Sequence, residues 1–97
     1  MSVTRLNHFE AKRGREVELK TLLGSIMSIV RNSSGCVSCQ LLESQDEPAK
    51  FVILEVWDSV QSHQEAAKLV PPEKLQTAVG LLAQRPSGMY YSPASHG

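Results

Sequence analysis

Three polar residues fall where chemistry could be done. Val60, His63, Ala67 and Val70 recur at i, i+3, i+7 and i+10, so His63 sits on the apolar face of an expected helix. Burial disfavours the imidazolium and leaves a neutral base, suited to taking a phenolic or enolic proton. Trp57 ends a β-branched and aromatic run just before that helix. On the face it shares with Phe51, Ile53 and Glu55, its indole can wall a pocket and its Nε1–H can donate to a substrate oxygen. Asn7 alternates with Arg5 and Phe9 inside an expected strand, where an amide is a poor fit. In a pocket that amide could steady an enolate or a peroxide. His63, Asn7 and Trp57 are thus the expected catalytic residues. Phe51, Ile53 and Arg5 are the expected substrate contacts, with Arg5 at the same oxygen or at the rim.

Each has a structural alternative: Trp57 as plain core, His63 satisfied by backbone, Asn7 near an open edge. Glu55 is a carboxylate in an apolar strand. It must pair with a cation such as Arg5 or take up a proton, and the Arg5 pair is the favoured reading. His8 points away from Asn7, and Tyr90 and Tyr91 point opposite ways, so one of the two tyrosines should line the pocket.

The elements that position these residues follow from periodicity. Val3 to Glu10 reads as a first strand. Leu19, Leu22, Leu23, Ile26, Met27 and Val30 mark one face of a long helix, which Gly35 closes in a left-handed turn. Cys36 to Ser44 and Lys50 to Trp57 read as strands, the second apolar enough to be covered on both faces. Asp58 with Gln61 suggests a capping box for a helix running to about Leu69. A third helix starts at Pro72 or Glu73 with the stripe Leu75, Val79, Leu82, and Gly88 to Ser92 is a last strand. The order β-α-β-β-α-α-β is the split βαβ, ferredoxin-like plan in one α+β domain spanning residues 1–97. Its antiparallel sheet carries the helices on one side. The other face, with Val52, Leu54 and Val56, is too apolar for water, and a second copy of the chain is its simplest cover.

Composition narrows the function classes. Ten basic residues balance ten acidic ones among 97, which gives no electrostatic reason to expect nucleic acid or an anionic membrane. No apolar run is long enough to span a bilayer, and the N-terminus lacks a signal-peptide pattern, so a cytoplasmic protein is expected. Cys36 and Cys39 form one C-x-x-C pair at a strand start, without the second pair zinc would need, and read as reduced thiols. There is no phosphate-cradling glycine loop, and no cofactor is expected.

The string Ser34-Gly35-Cys36-Val37-Ser38-Cys39, followed by Glu55-Val56-Trp57-Asp58-Ser59, resembles the antibiotic biosynthesis monooxygenase family. The first strand, the Lys12-Arg13-Gly14 turn and the long helix fit as well, so the resemblance spans about residues 3–92. It implies a dimeric α+β barrel: two sheets face to face, each subunit keeping a pocket between its sheet and its helices. It also implies one of several activities, among them cofactor-free quinone formation, haem degradation and an isomerisation. Asn7 falls where haem-degrading members carry a pocket asparagine, and His63 where quinone-forming members carry a tyrosine. Three positions depart from the family pattern: Ala66 replaces a histidine, Cys39 an aromatic residue, and Ile53 an asparagine.

The resulting expectation is a cofactor-free monooxygenase acting with O₂ on a small hydroxylated aromatic or quinol-type substrate, as a homodimer. The alternative is a non-catalytic dimer of the same fold that binds a small aromatic or apolar ligand, or haem through His63.

Overall fold

The computed structural model describes residues 2–95. Its elements are β1 (Val3–Glu10), α1 (Glu16–Arg31), β2 (Cys36–Glu43), β3 (Lys50–Trp57), α2 (Val60–Ala67), α3 (Pro72–Leu81) and β4 (Ser87–Tyr91). The four strands form one antiparallel sheet in the order β2-β3-β1-β4. This is the α+β, ferredoxin-like arrangement, with the most apolar strand, β3, in the interior of the sheet.

Period-two alternation along β3 sends Phe51, Ile53, Glu55 and Trp57 to the helical face, where all four are buried. The apolar three, Phe51, Ile53 and Trp57, pack with Leu19, Leu23, Met27 and Val30 from one side of α1. Each fully buried side chain of this kind contributes about 1.5–3 kcal/mol. After Asn32 the chain leaves α1, and Gly35 takes φ +90°, as a left-handed turn requires. Gly35 also lies against α2: a Cβ there would stand 2.5 Å from Ser62 Oγ.

β2 departs from simple alternation. A bulge between Cys36 and Ser38 lets Cys36 pair with Trp57 and Cys39 with Glu55, so both cysteines face the helices. Both are free thiols.

Two helices sit differently from their sequence patterns. The N-cap of α2 is Ser59, whose hydroxyl accepts from the Ser62 amide at 3.1 Å; the Asp58 amide instead donates to Gly35 O at 2.9 Å. The helix ends at Ala67; Ala66 is its buried residue and His63 is half-buried beside it, Val60 is exposed, and the buried Val70 lies in the turn beyond the helix. In α3 the buried residues are Ala78 and Leu81, whereas Leu75 and Val79 are 48% and 67% exposed. The cause is the exit from α3. Leu82 turns to extended backbone, and Lys12 N–H bonds Leu81 O while Ala83 N–H bonds Glu10 O, tying this end of the helix to the end of β1.

The opposite sheet face has no helix over it. Strand pairing aligns Met89, Leu6, Leu54 and Gln40 in one row and His8, Val52 and Leu42 in the next. Val52, Leu54 and Val56 are half-buried by their neighbours, and Met89, Leu42 and Tyr91 are exposed. The expected burial of β3 on both faces is thus met on one face within the single chain. Among the described residues, no helix is long and apolar enough to cross a membrane.

Candidate active site

A cavity of about 270 Å³ lies between the sheet and the three helices. Its walls are apolar: Leu23, Ile26, Met27 and Val30 from α1, Ala66 and Ala67 from α2, and Leu75, Ala78 and Val79 from α3. The exposed Leu75 and Val79 therefore border the cavity rather than fill the core. Asn7, Glu55, Trp57 and His63 line it too, and give it one polar end.

The polar end is a connected network. Trp57 Nε1–H donates to Glu55 Oε1 at 2.7 Å, which the shared strand face of residues 55 and 57 makes possible. Asn7 Nδ2 donates to Glu55 Oε2 at 3.5 Å, from the adjacent strand. Arg5 Nε–H donates to Asn7 Oδ1 at 3.2 Å, and the Arg5 guanidinium lies 4.5 Å from the centre of the Tyr90 ring. The Tyr90 hydroxyl and His63 Nδ1 are 2.6 Å apart. His63 Nε2 stands 3.8 Å from Glu55 Oε1, and the indole meets the imidazole edge-on at 5.6 Å.

Burial raises the Glu55 pKa above its usual range, more than the Trp57 hydrogen bond, Arg5 and Asn7 lower it. Burial, then Arg5, lowers the His63 pKa, so the His63–Glu55 approach is a neutral imidazole beside a carboxyl group, not an ion pair. The partners also set the tautomer. A phenol donates more readily than it accepts at an imidazole nitrogen, and a carboxylate favours a proton on the nitrogen that faces it. With Glu55 ionised, these preferences assign the Tyr90 O–H as the donor to Nδ1 and place the imidazole proton on Nε2. Beside Glu55, burial pushes the Cys39 thiol up to about 12, with Glu55 and Cys36 adding to the effect. That thiol is not a nucleophile at neutral pH.

Of the six residues singled out in the sequence, Asn7, Trp57, His63 and Ile53 line the cavity. Phe51 is fully buried in the core beneath it, and Arg5 stands behind Asn7, reaching the cavity through it. The expected Arg5–Glu55 ion pair is not made, although the two residues are register partners. The guanidinium turns the other way, to the Asn7 carbonyl and the Tyr90 ring. The Trp57 donor is taken up by Glu55 rather than left free for a ligand. Ala66, Cys39 and Ile53, the three departures from the family pattern, all line the cavity and make it more apolar or more spacious there.

The alternation left open which tyrosine matters, and it is Tyr90, facing His63; Tyr91 lies on the open sheet face. Gly88 was missed. It pairs with Asn7, and a Cβ there would stand 2.1 Å from Asn7 Oδ1 and 2.4 Å from Arg5 Nη2. A lone glycine inside a strand pattern is the signal that could have found it. Gly88→Ala should push both side chains aside and cost about 1–3 kcal/mol, as overpacking does. A urea midpoint equal to the parent's would show that they move freely.

The raised Glu55 pKa also makes a stability prediction. The folded chain holds that proton more tightly than the unfolded chain does. This contribution is fully present below the unfolded carboxylate value and is lost as pH rises through the folded one. Glu55→Gln should therefore melt a few degrees above the parent at neutral pH, and the two should converge in acid. A lower melting temperature at neutral pH would show that the carboxylate is a net stabiliser.

The fold is a ferredoxin-like sheet with helices on one face, and its apolar cavity, ended by a carboxyl–imidazole pair, is the candidate site. The antibiotic biosynthesis monooxygenase family model matches residues 2–69, and the chain belongs to that family. Solved structures show the same fold across distant sequences. Rv0793 from Mycobacterium tuberculosis is 21% identical, with a TM-score of 0.85 over 99% of this chain and 98% of its own. A protein from Methanosarcina mazei is 15% identical, with a TM-score of 0.86 over 94% and 91%. SnoaB, a cofactor-independent oxygenase from Streptomyces nogalater, is 18% identical, with a TM-score of 0.81 over 97% and 94%. No curated protein matches the chain.

Proposed function

We propose that the protein is a cofactor-independent monooxygenase that oxidises a small hydroxylated aromatic or quinol-type molecule with O₂ in this cavity. The observation that carries the reading is the His63–Glu55 pair at the end of an otherwise apolar chamber. A phenol fits such a site: its ring is held by the walls and its O–H meets the polar pair. Membership of the family and the likeness to SnoaB support the chemistry.

The reaction balances without an added reductant. The substrate gives up its phenolic proton, and the phenolate transfers an electron to O₂. The radical pair joins at a ring carbon and the peroxide is protonated. Loss of the proton on that carbon then breaks the O–O bond, leaving a quinone carbonyl and water. The protein excludes bulk water, holds the anion and manages the proton transfers, the ring C–H proton joining the departing hydroxide as water.

The proposed working unit is a homodimer, with a second copy covering the face of Leu6, Leu54 and Met89. A cytoplasmic setting agrees with the two free thiols. Haem ligation by His63 is not favoured, because Nδ1 is engaged by Tyr90 and Nε2 faces a carboxyl group 3.8 Å away. The direct test is O₂ uptake with 1-naphthol, where one O₂ should be consumed per 1,4-naphthoquinone formed. Saturable naphthol binding with no uptake above the uncatalysed rate would leave a non-catalytic binding protein.

A further inference from the structure

We propose that Glu55 is the catalytic base of this site, and that His63 is the donor that holds the anion the base creates. This deepens the oxygenase reading and rests on it for the later steps, but not for the first proton transfer.

Most polar groups that reach the cavity are already committed to one another. The single N–H of the Trp57 indole is committed to Glu55 Oε1. The Asn7 carbonyl is committed to Arg5, and its amide reaches Glu55 Oε2. His63 Nδ1 lies 2.6 Å from the Tyr90 hydroxyl; in the assigned tautomer it accepts from that O–H, and the imidazole lone pair is occupied. Toward the cavity remain three donors, the His63 Nε2–H, the second N–H of the Asn7 amide and the Cys39 S–H, and one strong proton acceptor, the unfilled lone pairs of the Glu55 carboxylate. His63 Nε2 and Glu55 Oε1 stand 3.8 Å apart, too far to satisfy each other and close enough for one substrate oxygen to bridge both.

Glu55 suits the role in other ways. It is 4% exposed, and it is rigidly held by Trp57 on its own strand and by Asn7 on the next. The titratable and charged groups around it are Arg5 from β1, Cys36 and Cys39 from β2 and His63 from α2, with Arg31 of α1 behind the cysteines. Burial outweighs the stabilising contacts and lifts its pKa, which makes it a stronger base than an ordinary carboxylate. In the step, the substrate O–H or acidic C–H bond breaks and its proton goes to a Glu55 oxygen. The electron pair stays on the substrate as phenolate or enolate, whose oxygen accepts from His63 Nε2–H. Glu55 then returns the proton to the peroxide oxygen.

The test separates proton transfer from oxygen chemistry. Under argon in D₂O, the parent protein should catalyse exchange of the C1 protons of 2-tetralone, read by ¹H NMR. Glu55→Gln keeps an acceptor for the Trp57 indole and should lower that rate by roughly 10²–10⁴, the share of a general base. It should also remove the fall in rate toward acid pH. Nitrogen-15 NMR of the His63 ring, assigned by comparison with His63→Ala, should show the proton on Nε2. No exchange by the parent, exchange undiminished in Glu55→Gln, or a proton on Nδ1 would each overturn the proposal. Should Glu55→Gln not fold, Glu55→Asp takes its place: the withdrawn carboxylate should slow exchange at least tenfold while keeping the acid limb, and an unchanged rate would overturn the proposal. Exchange without O₂ uptake leaves the base in place and removes the oxygenase reading. O₂ uptake undiminished in Glu55→Gln does the reverse.

Discussion

His63→Ala should lower the rate of O₂ uptake with 1-naphthol by roughly 10²–10³, the usual effect of losing one donor at a developing anion. The imidazole lines the cavity and meets Glu55, Trp57 and Tyr90, at the point where a substrate oxygen would bridge Nε2 and the carboxylate. The loss should fall on kcat more than on KM, because the contact strengthens as charge builds on the substrate oxygen. The secondary structure and the dimeric state should be unchanged, since His63 lies on the helical side of the sheet. A variant with parent-like kcat would remove His63 from the mechanism.

Leu54→Asp should separate the dimer. Leu54 lies in the middle of the open sheet face, paired with Leu6 on one side and Gln40 on the other, with Met89 beyond Leu6. A carboxylate buried there against a second copy, with no cation opposite, should cost about 3–5 kcal/mol, the scale of an uncompensated buried charge. In the proposed dimer that cost falls on association, because in the single chain the face is open to water. Sedimentation at micromolar concentration should give the dimer mass for the parent and the monomer mass for the variant. A parent that sediments as a monomer, or a variant that stays dimeric, would contradict the interface.

Much of this arrangement was legible in the chain, for identifiable reasons. The run from Phe51 to Trp57 alternates strictly, so one face had to carry Phe51, Ile53, Glu55 and Trp57 together, and that face holds the core and the site. The heptad-like spacing of α1 identified its buried side in the same way. The apolar stripe sets His63 against the sheet, where it lies, but α2 is rotated so that Ala66 rather than Ala67 is buried. Alanines at 66 and 67 differ little in apolar contrast, and the cap falls on Ser59 rather than Asp58.

The partners of the site were harder to read, because they depend on register. Tyr90 is 27 residues from His63, and their contact exists only because β4 pairs with β1 so that Tyr90 stands beside Arg5. The sequence marked Glu55 as a buried carboxylate in need of a partner, and the pairing even sets Arg5 opposite it. What it did not reveal is that an aromatic ring on the other side of β1 would draw the guanidinium away, leaving the carboxylate to the indole and the amide. The stripe of α3 misled for a related reason. Leu75 and Val79 are apolar because they border a cavity, and a pattern of apolar residues does not distinguish a cavity wall from a packed core.

The central claim is that this chamber lets an aromatic alcohol react with O₂ by its own electrons. Mass spectrometry after turnover of 1-naphthol under ¹⁸O₂ tests it most directly. One labelled oxygen atom should appear in the 1,4-naphthoquinone, a gain of two mass units, and the other in water. Quinone formed without label, or no quinone beyond the protein-free control, would contradict the account.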